Sequence, residues 1–213
     1  MDLGIAGRKA IVCASSRGLG RACALALAQA GCDVVVNGRD GNNAGPPFRD
    51  FRQLNREAML DGVIANMVVA IELTQKVIDA MVAKKFGRIV NITSGSVKMP
   101  LAGLDLSSGA RAGLTAFLAG IARSVAASNV TINFLLPGTF DTERLASNIA
   151  ANAKAKGIAF EEAKAQRMAT VPARRFGTPD EFGAACAFLC SAQAGYITGQ
   201  SLLIDGGAFP GVM

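Results

Sequence analysis

The residues from Cys13 to Gly20 read CASSRGLG, a glycine-rich turn whose composition suits the binding of a phosphate group. Gly18 and Gly20 would let the backbone approach a pyrophosphate, and a helix that begins there would offer free N–H groups and the positive end of its dipole. Such a turn can also serve simply to join a strand to a helix. Its place inside a predicted strand–helix–strand unit favours phosphate binding.

Two arginines near this turn predict the kind of nucleotide. Arg39 follows Gly38 at the end of the second predicted strand, where NAD-binding domains carry a carboxylate that holds the adenosine ribose. Arg17 and Arg39 would instead suit a free 2′-phosphate, which predicts NADP(H) as the cofactor. The alternative is that both arginines are merely solvated.

The chain contains no histidine, which excludes Ser-His-Asp and Cys-His catalysis and removes most transition-metal sites. We therefore expect no metal, and any acid/base chemistry must use other groups. The five cysteines include no CxxC pair and are predicted to be small buried hydrophobic residues. They are Cys13, Cys23, Cys32, Cys186 and Cys190.

Alternating strands and helices must position these groups. A strand at 9–13, a helix that ends near residue 30 and a buried, valine-rich strand at 33–37 make one βαβ unit. Further strands are predicted at 87–91, 131–136 and 201–204, and helices at about 55–85, 107–128 and 178–189, with two short helices in 142–168. This order predicts an α/β fold with a doubly wound, Rossmann-type parallel sheet.

Composition limits the remaining possibilities. The 213 residues are 51% hydrophobic, which predicts a single domain over 1–213 with a substrate-covering helical segment at 142–175. No stretch is apolar enough to span a membrane and no secretion signal is evident, so we expect a cytoplasmic protein without a membrane partner. The net charge of +6 is scattered along the chain and predicts no nucleic-acid partner.

Four further motifs follow the glycine turn in order: Asn42-Asn43-Ala44-Gly45, Asn91-Ile92-Thr93-Ser94, Pro137-Gly138 with Thr139 and Thr142, and the terminal Asp205-Gly206-Gly207. Together they resemble the short-chain dehydrogenase/reductase family along nearly the whole chain, and most of all its 3-oxoacyl-carrier-protein reductase branch. The resemblance implies cofactor contacts by Ala14, Ser16, Arg17, Gly18, Leu19, Gly20, Arg39, Asn43, Ala44, Gly45, Arg111, Pro137, Gly138, Thr139 and Thr142.

The resemblance also implies a catalytic set that departs from the family pattern. Ser94 matches the serine that polarises the carbonyl, and Asn66 matches the asparagine that supports a water relay. Ser107 and Arg111 stand where the family has the tyrosine and lysine of its YxxxK pair, one helical turn apart. An aliphatic hydroxyl ionises far less readily than a phenol, so the chemistry of the pair must differ.

Other groups could supply the proton in place of the missing tyrosine. A water held by Ser107 and Asn66 is one candidate, and Lys98, four residues after Ser94, is another, although a loop lysine is more often only solvated. Tyr196, which precedes the last strand, is predicted to have a structural role in its turn.

A segment of the family pattern is absent between Asp40 and Asn42. The family places two strands and their helices there, and its fourth strand lies beside the first in the centre of the sheet. Either the natural polypeptide contains a segment that this sequence lacks, or the deletion is real and impairs the sheet and the cofactor site.

The resemblance thus implies an NADP(H)-dependent oxidoreductase that interconverts a carbonyl and an alcohol on a small-molecule or acyl-thioester substrate. By family analogy, the two long helices would pair in a homodimer and the last strand would help to form a homotetramer. The alternative is an NADP(H)-binding regulator or assembly partner without dehydrogenase turnover.

Overall fold

The computed structural model describes residues 2–38 and 50–211, and the predicted contacts of Arg39, Asn43, Ala44 and Gly45 lie outside these residues. The chain forms two compact units. The first comprises the described parts of Met1–Asn43, Pro137–Ala187 and Ile204–Met213, and the second those of Ala44–Leu136 and Phe188–Leu203. The prediction of one domain with a covering segment at 142–175 stays a prediction.

In the first unit, the predicted βαβ motif is present near the amino terminus. Strand β1 (Lys9–Val12) leads into helix α1 (Gly18–Gln29), and strand β2 (Asp33–Val36) pairs with β1 in parallel register. This unit also contains α5 (Glu143–Lys156), α6 (Phe160–Ala169) and most of α7 (Pro179–Cys190). Gly157 ends α5 in the left-handed conformation, as its position between the two predicted short helices indicated.

The prediction that β2 is a buried strand is wrong. Val35 is 59% exposed and Val36 is 60% exposed. Val35 is the register partner of Ile11 on β1, which is 66% exposed, so both lie on a face that no described element covers. A doubly wound sheet needs helices on both faces, and the sequence predicted that a segment with further helices is absent after Asp40.

In the second unit, helices pack on one sheet. A helical run comprises α2 (Arg56–Val63), a π-helical turn (Ile64–Val68) and α3 (Val69–Ala83), and it is followed by β3 (Gly87–Ile92), α4 (Asp105–Val125), β4 (Val130–Pro137) and β5 (Ser201–Ile204). The core joins one face of α4 to β4 through Leu114, Leu118, Ala122, Ile132, Phe134 and Leu136. These apolar positions recur at helical and strand spacing, which explains why both elements were predictable.

The strands form two sheets, one with the order β1-β2 and the other with the order β3-β4-β5. The pairs β1-β2 and β3-β4 are parallel, which confirms the predicted α/β class. Neither sheet, as far as the described residues show, contains a strand on the other side of β1 or of β3. The predicted continuous sheet is therefore replaced by two separate sheets among the described residues.

Two expectations about single side chains were also wrong. Tyr196 is 102% exposed, so its ring packs against no described residue and cannot support its turn as predicted. Cys23 and Cys186 are buried as expected, but Cys13 is exposed, and Cys32 and Cys190 are partly buried. Cys13 differs because it begins the glycine turn after the last residue of β1 rather than facing a helix or the sheet.

Candidate active site

The glycine turn has the backbone shape that close approach to a phosphate requires. Ala14 and Gly18 both have positive φ, of 53° and 57°, a conformation that costs alanine energy and glycine almost none. A Cβ atom on Gly20 would collide with the carbonyl oxygen of Ala14. Gly20 is therefore needed to close the turn onto the first residues of α1, whereas the methyl group of Ala14 is tolerated under strain.

A buried serine that the sequence analysis did not select holds the turn to both strands. Ser15 is 3% exposed, and its Oγ donates to the carbonyl oxygen of Val12 at 2.6 Å and accepts from the backbone N–H of Asn37 at 3.2 Å. The Asn37 side-chain oxygen accepts in turn from the N–H of Ala14 at 2.8 Å. The turn contains two serines, and the sequence did not indicate which of them would be buried.

The start of α1 leaves backbone donors available for an anion. Arg17 precedes the helix in an extended conformation and its side chain makes no capping hydrogen bond, so the first N–H groups lack the usual side-chain acceptor. Gly18 and Leu19 form the first turn, and open space surrounds the position of a Cβ on Gly18. These features fit the pyrophosphate of a dinucleotide at the positive end of the helix.

Steric contact also explains why a glycine occupies position 38. A Cβ there would stand 2.6 Å from Oγ of Ser16, so the glycine at the end of β2 lets the turn approach the strand. The position where an NAD-binding domain would carry a carboxylate is thus occupied by a residue that must remain small. This arrangement leaves Ser16 and Arg17 exposed beside the end of β2.

The loop after β4 is fixed by its own contacts. The N–H of Gly138 donates to the carbonyl oxygen of Ile204 at 2.9 Å, and a Cβ on Gly138 would stand 2.6 Å from Cα of Asp205. Thr139 Oγ accepts from Arg167 at 3.3 Å, and Thr142 Oγ caps α5 by accepting from the N–H of Leu145 at 3.3 Å. The role of Pro137, Gly138, Thr139 and Thr142 toward a nicotinamide stays a prediction.

An ion pair beside this loop causes the largest pKa shift among the described residues. Arg175 contacts both carboxylate oxygens of Glu181, at 2.6 and 2.8 Å. These hydrogen bonds, with a further one from the N–H of Thr178, lower the pKa of Glu181 to about 2. The pair joins the segment before α7 to the first turn of that helix, which indicates a structural role.

In the second unit, Ser107 and Arg111 lie together as their spacing predicted. A guanidinium N–H of Arg111 donates to Oγ of Ser107 at 2.8 Å across one turn of α4. Because the arginine is a permanent cation and only a donor, it orients the hydroxyl and cannot remove its proton. The Ser107 hydroxyl keeps its own proton to donate to a water or a substrate.

Asn66 lies in the π-helical turn between α2 and α3. Its side-chain nitrogen donates to the carbonyl oxygen of Gly62 at 2.8 Å, which leaves the side-chain oxygen to face other groups. A π-helical turn inserts one extra residue per turn and often marks a functional site in a long helix. The predicted single helix over 55–85 is therefore correct in extent, but it changes its winding at the predicted catalytic asparagine.

A cavity of about 310 Å³ brings Asn66 and Ser107 to one surface. Its wall is largely apolar, with the carboxylates of Asp61 and Asp105 among the polar groups, and the described residues form no ion pair with either aspartate. Its volume is at the lower end of the range for small-molecule sites. The lining residues are Leu54, Ala58, Asp61, Gly62, Ala65, Asn66, Gly103, Leu104, Asp105, Leu106 and Ser107.

Ser94 and Lys98 are not among the residues that line this cavity. Oγ of Ser94 accepts from the N–H of Ser96 at 3.1 Å and from its hydroxyl at 2.9 Å, so Ser96 fixes Ser94 at the end of β3. Lys98 ends the short helical turn that follows. Ser96 was not predicted from the sequence, although the Ser-x-Ser spacing that allows this turn is present there.

Within 2–38 and 50–211, no cluster of three or more side chains of the types that bind metals is present. No helix among these residues has the length and apolar character needed to cross a bilayer.

Comparison with known proteins identifies the family. The family model described as enoyl-(acyl carrier protein) reductase matches residues 41–208. The 3-oxoacyl-(acyl-carrier-protein) reductase FabG of Vibrio cholerae is 34% identical over 84% of this chain and 67% of its own length. Several such alignments cover only about two thirds of the relative.

Comparison over full lengths shows where this chain differs. The FabG protein of Aquifex aeolicus is 27% identical over 259 positions that span 98% of this chain and all of the relative. Because 259 exceeds the 213 residues of this chain, the relative contains positions without a counterpart here. The match to the family model begins at residue 41, the junction where the sequence indicated an omission.

Solved structures share the fold. The structure of YwfH, an NADPH-dependent reductase involved in bacilysin biosynthesis, superposes with a TM-score of 0.88 and 25% identity, over 97% of this chain and 100% of that chain. L-Sorbose reductase from Gluconobacter frateurii, complexed with NADPH and L-sorbose, has a TM-score of 0.92 and 22% identity over both full chains. These matches confirm the predicted Rossmann-type fold, and with the family model they show that the chain belongs to the short-chain dehydrogenase/reductase family.

Proposed function

We propose that this protein is an NADP(H)-dependent oxidoreductase that interconverts a carbonyl and an alcohol by hydride transfer, similar to the 3-oxoacyl reductases. The relatives include 3-oxoacyl-(acyl-carrier-protein) reductases, acetoacetyl-CoA reductases and an NADPH-dependent reductase. The observation that carries the proposal is the turn from Ala14 to Gly20, which is closed against its own backbone and leaves the start of α1 without a side-chain cap.

The residues of the first unit bind the cofactor in this proposal. Backbone N–H groups at Gly18 and Leu19 hold the pyrophosphate, and Arg17 with Arg39 neutralises the 2′-phosphate of NADP(H). When bound, the nicotinamide supplies or accepts the hydride at the substrate carbon. Thr139 and Thr142 are proposed to orient the nicotinamide carboxamide.

The residues of the second unit polarise the substrate oxygen and transfer its proton. Ser94, held by Ser96, polarises the carbonyl, and Ser107 with Asn66 holds a water that gives or receives the proton. Arg111 orients the Ser107 hydroxyl and is proposed to contact the nicotinamide ribose. This water route is favoured over Lys98, because Asn66 and Ser107 share a cavity that Lys98 does not line.

The substrate is a small carbonyl compound or the acyl end of a thioester. The cavity of about 310 Å³ suits a group of a few carbon atoms, and its largely apolar wall suits an acyl chain.

A homodimer through α2, α3 and α4 or a homotetramer is proposed by family analogy. In the single chain these helices expose the apolar side chains of Leu60, Ile64, Leu73 and Phe117, which a partner subunit would cover. A cytoplasmic location, where NADP(H) is available, is likewise a proposal.

Two assays on one preparation test this function. Fluorescence titration measures the Kd of NADPH, and loss of absorbance at the NADPH band measures turnover against short 3-oxoacyl thioesters and small ketones. We expect micromolar binding, slow turnover, and a loss of about tenfold or more in kcat for Ser107→Ala with an unchanged Kd for NADPH. Absence of NADPH binding by the folded wild type would refute the proposal.

A second candidate is supported by one observation at the same site. By the resemblance to the family, Ser107 stands where a tyrosine is expected and its hydroxyl ionises poorly, and its hydrogen-bond partner Arg111 cannot act as an acid or base. A family member that binds NADP(H) and regulates or assembles with another protein needs neither group to react. NADPH binding without turnover on any substrate of the panel would favour this second function.

A further inference from the structure

The first turn of α4 packs closely on the last turn of α2 through a leucine and a glycine. A Cβ atom on Gly62 would stand 2.5 to 2.7 Å from Cγ, Cδ1 and Cδ2 of Leu106. Gly62 is buried and Leu106 is partly buried. The branched end of Leu106 therefore occupies the space that a side chain at position 62 would fill.

This contact forms part of the wall of the cavity that Asn66 and Ser107 share. Gly62 and Leu106 both line the cavity, Gly62 from α2 and Leu106 from α4. Leu106 immediately precedes Ser107, and the carbonyl oxygen of Gly62 accepts the hydrogen bond from the Asn66 side chain. The contact is thus linked directly to the two residues that are proposed to hold the reacting water.

The α2 side of the cavity is built from small residues. Ala58 and Gly62 on α2 and Ala65 in the π-helical turn all line it. Gly62 lies between the two alanines in the sequence, and the space beside it is taken by Leu106. A chain that extends along this side from the reacting end near Asn66 therefore meets Leu106 at Gly62. It does not reach Ala58, which lies roughly 6 Å further along the helix.

We propose that Leu106, packed against Gly62, is a specificity-determining residue that restricts the cavity to short acyl chains. The inference rests on the proposed function, because it requires the substrate carbonyl to lie beside Asn66 and Ser107. The substrate class that fits is a 3-oxoacyl thioester of butanoyl length, whose chain ends before Leu106. A chain of octanoyl length would have to displace the leucine from its place on Gly62.

Two measurements on one set of variants separate this inference from the proposed function. Isothermal titration calorimetry gives the Kd of the butanoyl and octanoyl thioesters of N-acetylcysteamine, which lack the 3-oxo group and bind without being reduced. Oxidation of NADPH in the presence of the corresponding 3-oxoacyl thioesters gives kcat/KM. Selective binding without turnover would refute the proposed function alone. Turnover with a chain-length preference that no variant changes would refute this inference alone.

Shortening Leu106 should change the chain-length preference. The wild type should bind the butanoyl thioester more tightly than the octanoyl thioester. In Leu106→Ala, the octanoyl Kd should fall by about tenfold or more, because each methylene that becomes buried tightens binding by about fourfold. The butanoyl Kd should change by less than about threefold, since its chain ends before the leucine. Leu106→Val makes a smaller change, should shift the preference in the same direction, and serves if Leu106→Ala does not fold.

A matched leucine provides the control. Leu101 lies in the loop before α4, is 41% exposed and is not among the residues that line the cavity. Leu101→Ala removes the same atoms as Leu106→Ala and should keep the preference of the wild type. Circular dichroism verifies that each variant is folded.

The same contact is tested from the other helix. The methyl group of Gly62→Ala would overlap the end of Leu106, so the leucine must move and butanoyl binding should weaken by roughly tenfold. Combining Gly62→Ala with Leu106→Ala should recover most of this loss, because the alanine at 106 makes room for the new methyl group. An unchanged preference in Leu106→Ala and Leu106→Val, a wild type that prefers the octanoyl chain, or a folded wild type that binds neither thioester would overturn the inference.

Discussion

At the scale of single residues, backbone contacts decide which glycines of the turn are essential. Gly18 has a positive φ but open space around it, whereas Gly20 has an ordinary backbone conformation and a carbonyl oxygen where a side chain would begin. The sequence alone selected both glycines with equal weight. The difference depends on the distance between the turn and α1, which a spacing pattern does not contain.

The first prediction concerns Gly20. Gly20→Ala should weaken NADPH binding by roughly tenfold or more, because Ala14 must move away and the turn loses the shape that admits a pyrophosphate. Fluorescence titration measures the Kd, and circular dichroism verifies the fold. Gly120→Ala on α4 is the control, since nothing lies within 4 Å of the added methyl group, and it should leave the Kd unchanged. Equal Kd values for both variants would show that the turn does not hold the cofactor.

The second prediction concerns the ion pair at Glu181. Its pKa is about 2 in the folded protein and near 4.5 without its partners, so the folded state favours the charged form. The resulting stability is fully present above pH 4.5 and disappears as the pH falls through 2. Between pH 6 and pH 2, the melting temperature of Glu181→Gln should therefore fall less than that of the wild type. The effect should be small because the pair is exposed, and parallel pH profiles would contradict it.

At the scale of elements, amphipathic spacing was enough to predict most helices and strands. The apolar positions of α4 and the run in β4 pack together as their periods indicate. The exposure of β2 could not be predicted from its valines, because apolar composition indicates burial only where another element covers the face. The π-helical turn at Asn66 was also invisible, since its residues have ordinary helix-forming composition.

The third prediction tests the packing of α1 on α7. Gly183→Ala should destabilise the protein by about 1–3 kcal/mol, because the added methyl group would overlap the carbonyl oxygen of Ala22 and push the helices apart. Urea unfolding followed by circular dichroism measures the free energy. Gly109→Ala on α4 makes the same change where no atom lies within 4 Å, so it should be neutral or slightly stabilising. A neutral Gly183→Ala would mean that the helices adapt without loss of packing.

At the scale of the whole molecule, the sequence predicted the fold class and the location of the omission. The absence of two strands between Asp40 and Asn42 was inferred from motif order, and β1 and β3 indeed belong to separate sheets. The consequence for packing appears only in the structure, where Ile11 and Val35 share an uncovered face. A local pattern specifies each element, but the order of strands in a sheet depends on all of them together.

The last prediction restores the absent segment. Inserting between Asp40 and Asn42 the positions of the Aquifex relative that have no counterpart here should stabilise the protein by about 2 kcal/mol or more, because we expect them to include a helix that covers Ile11 and Val35. It should also tighten NADPH binding by roughly tenfold, because the family's fourth strand forms one wall of the adenine pocket. Thermal unfolding and fluorescence titration measure the two effects. A glycine- and serine-rich insertion of equal length is the control, and it should improve neither property. If the relative's segment also improves neither, the stability and the cofactor binding of this chain do not depend on the segment.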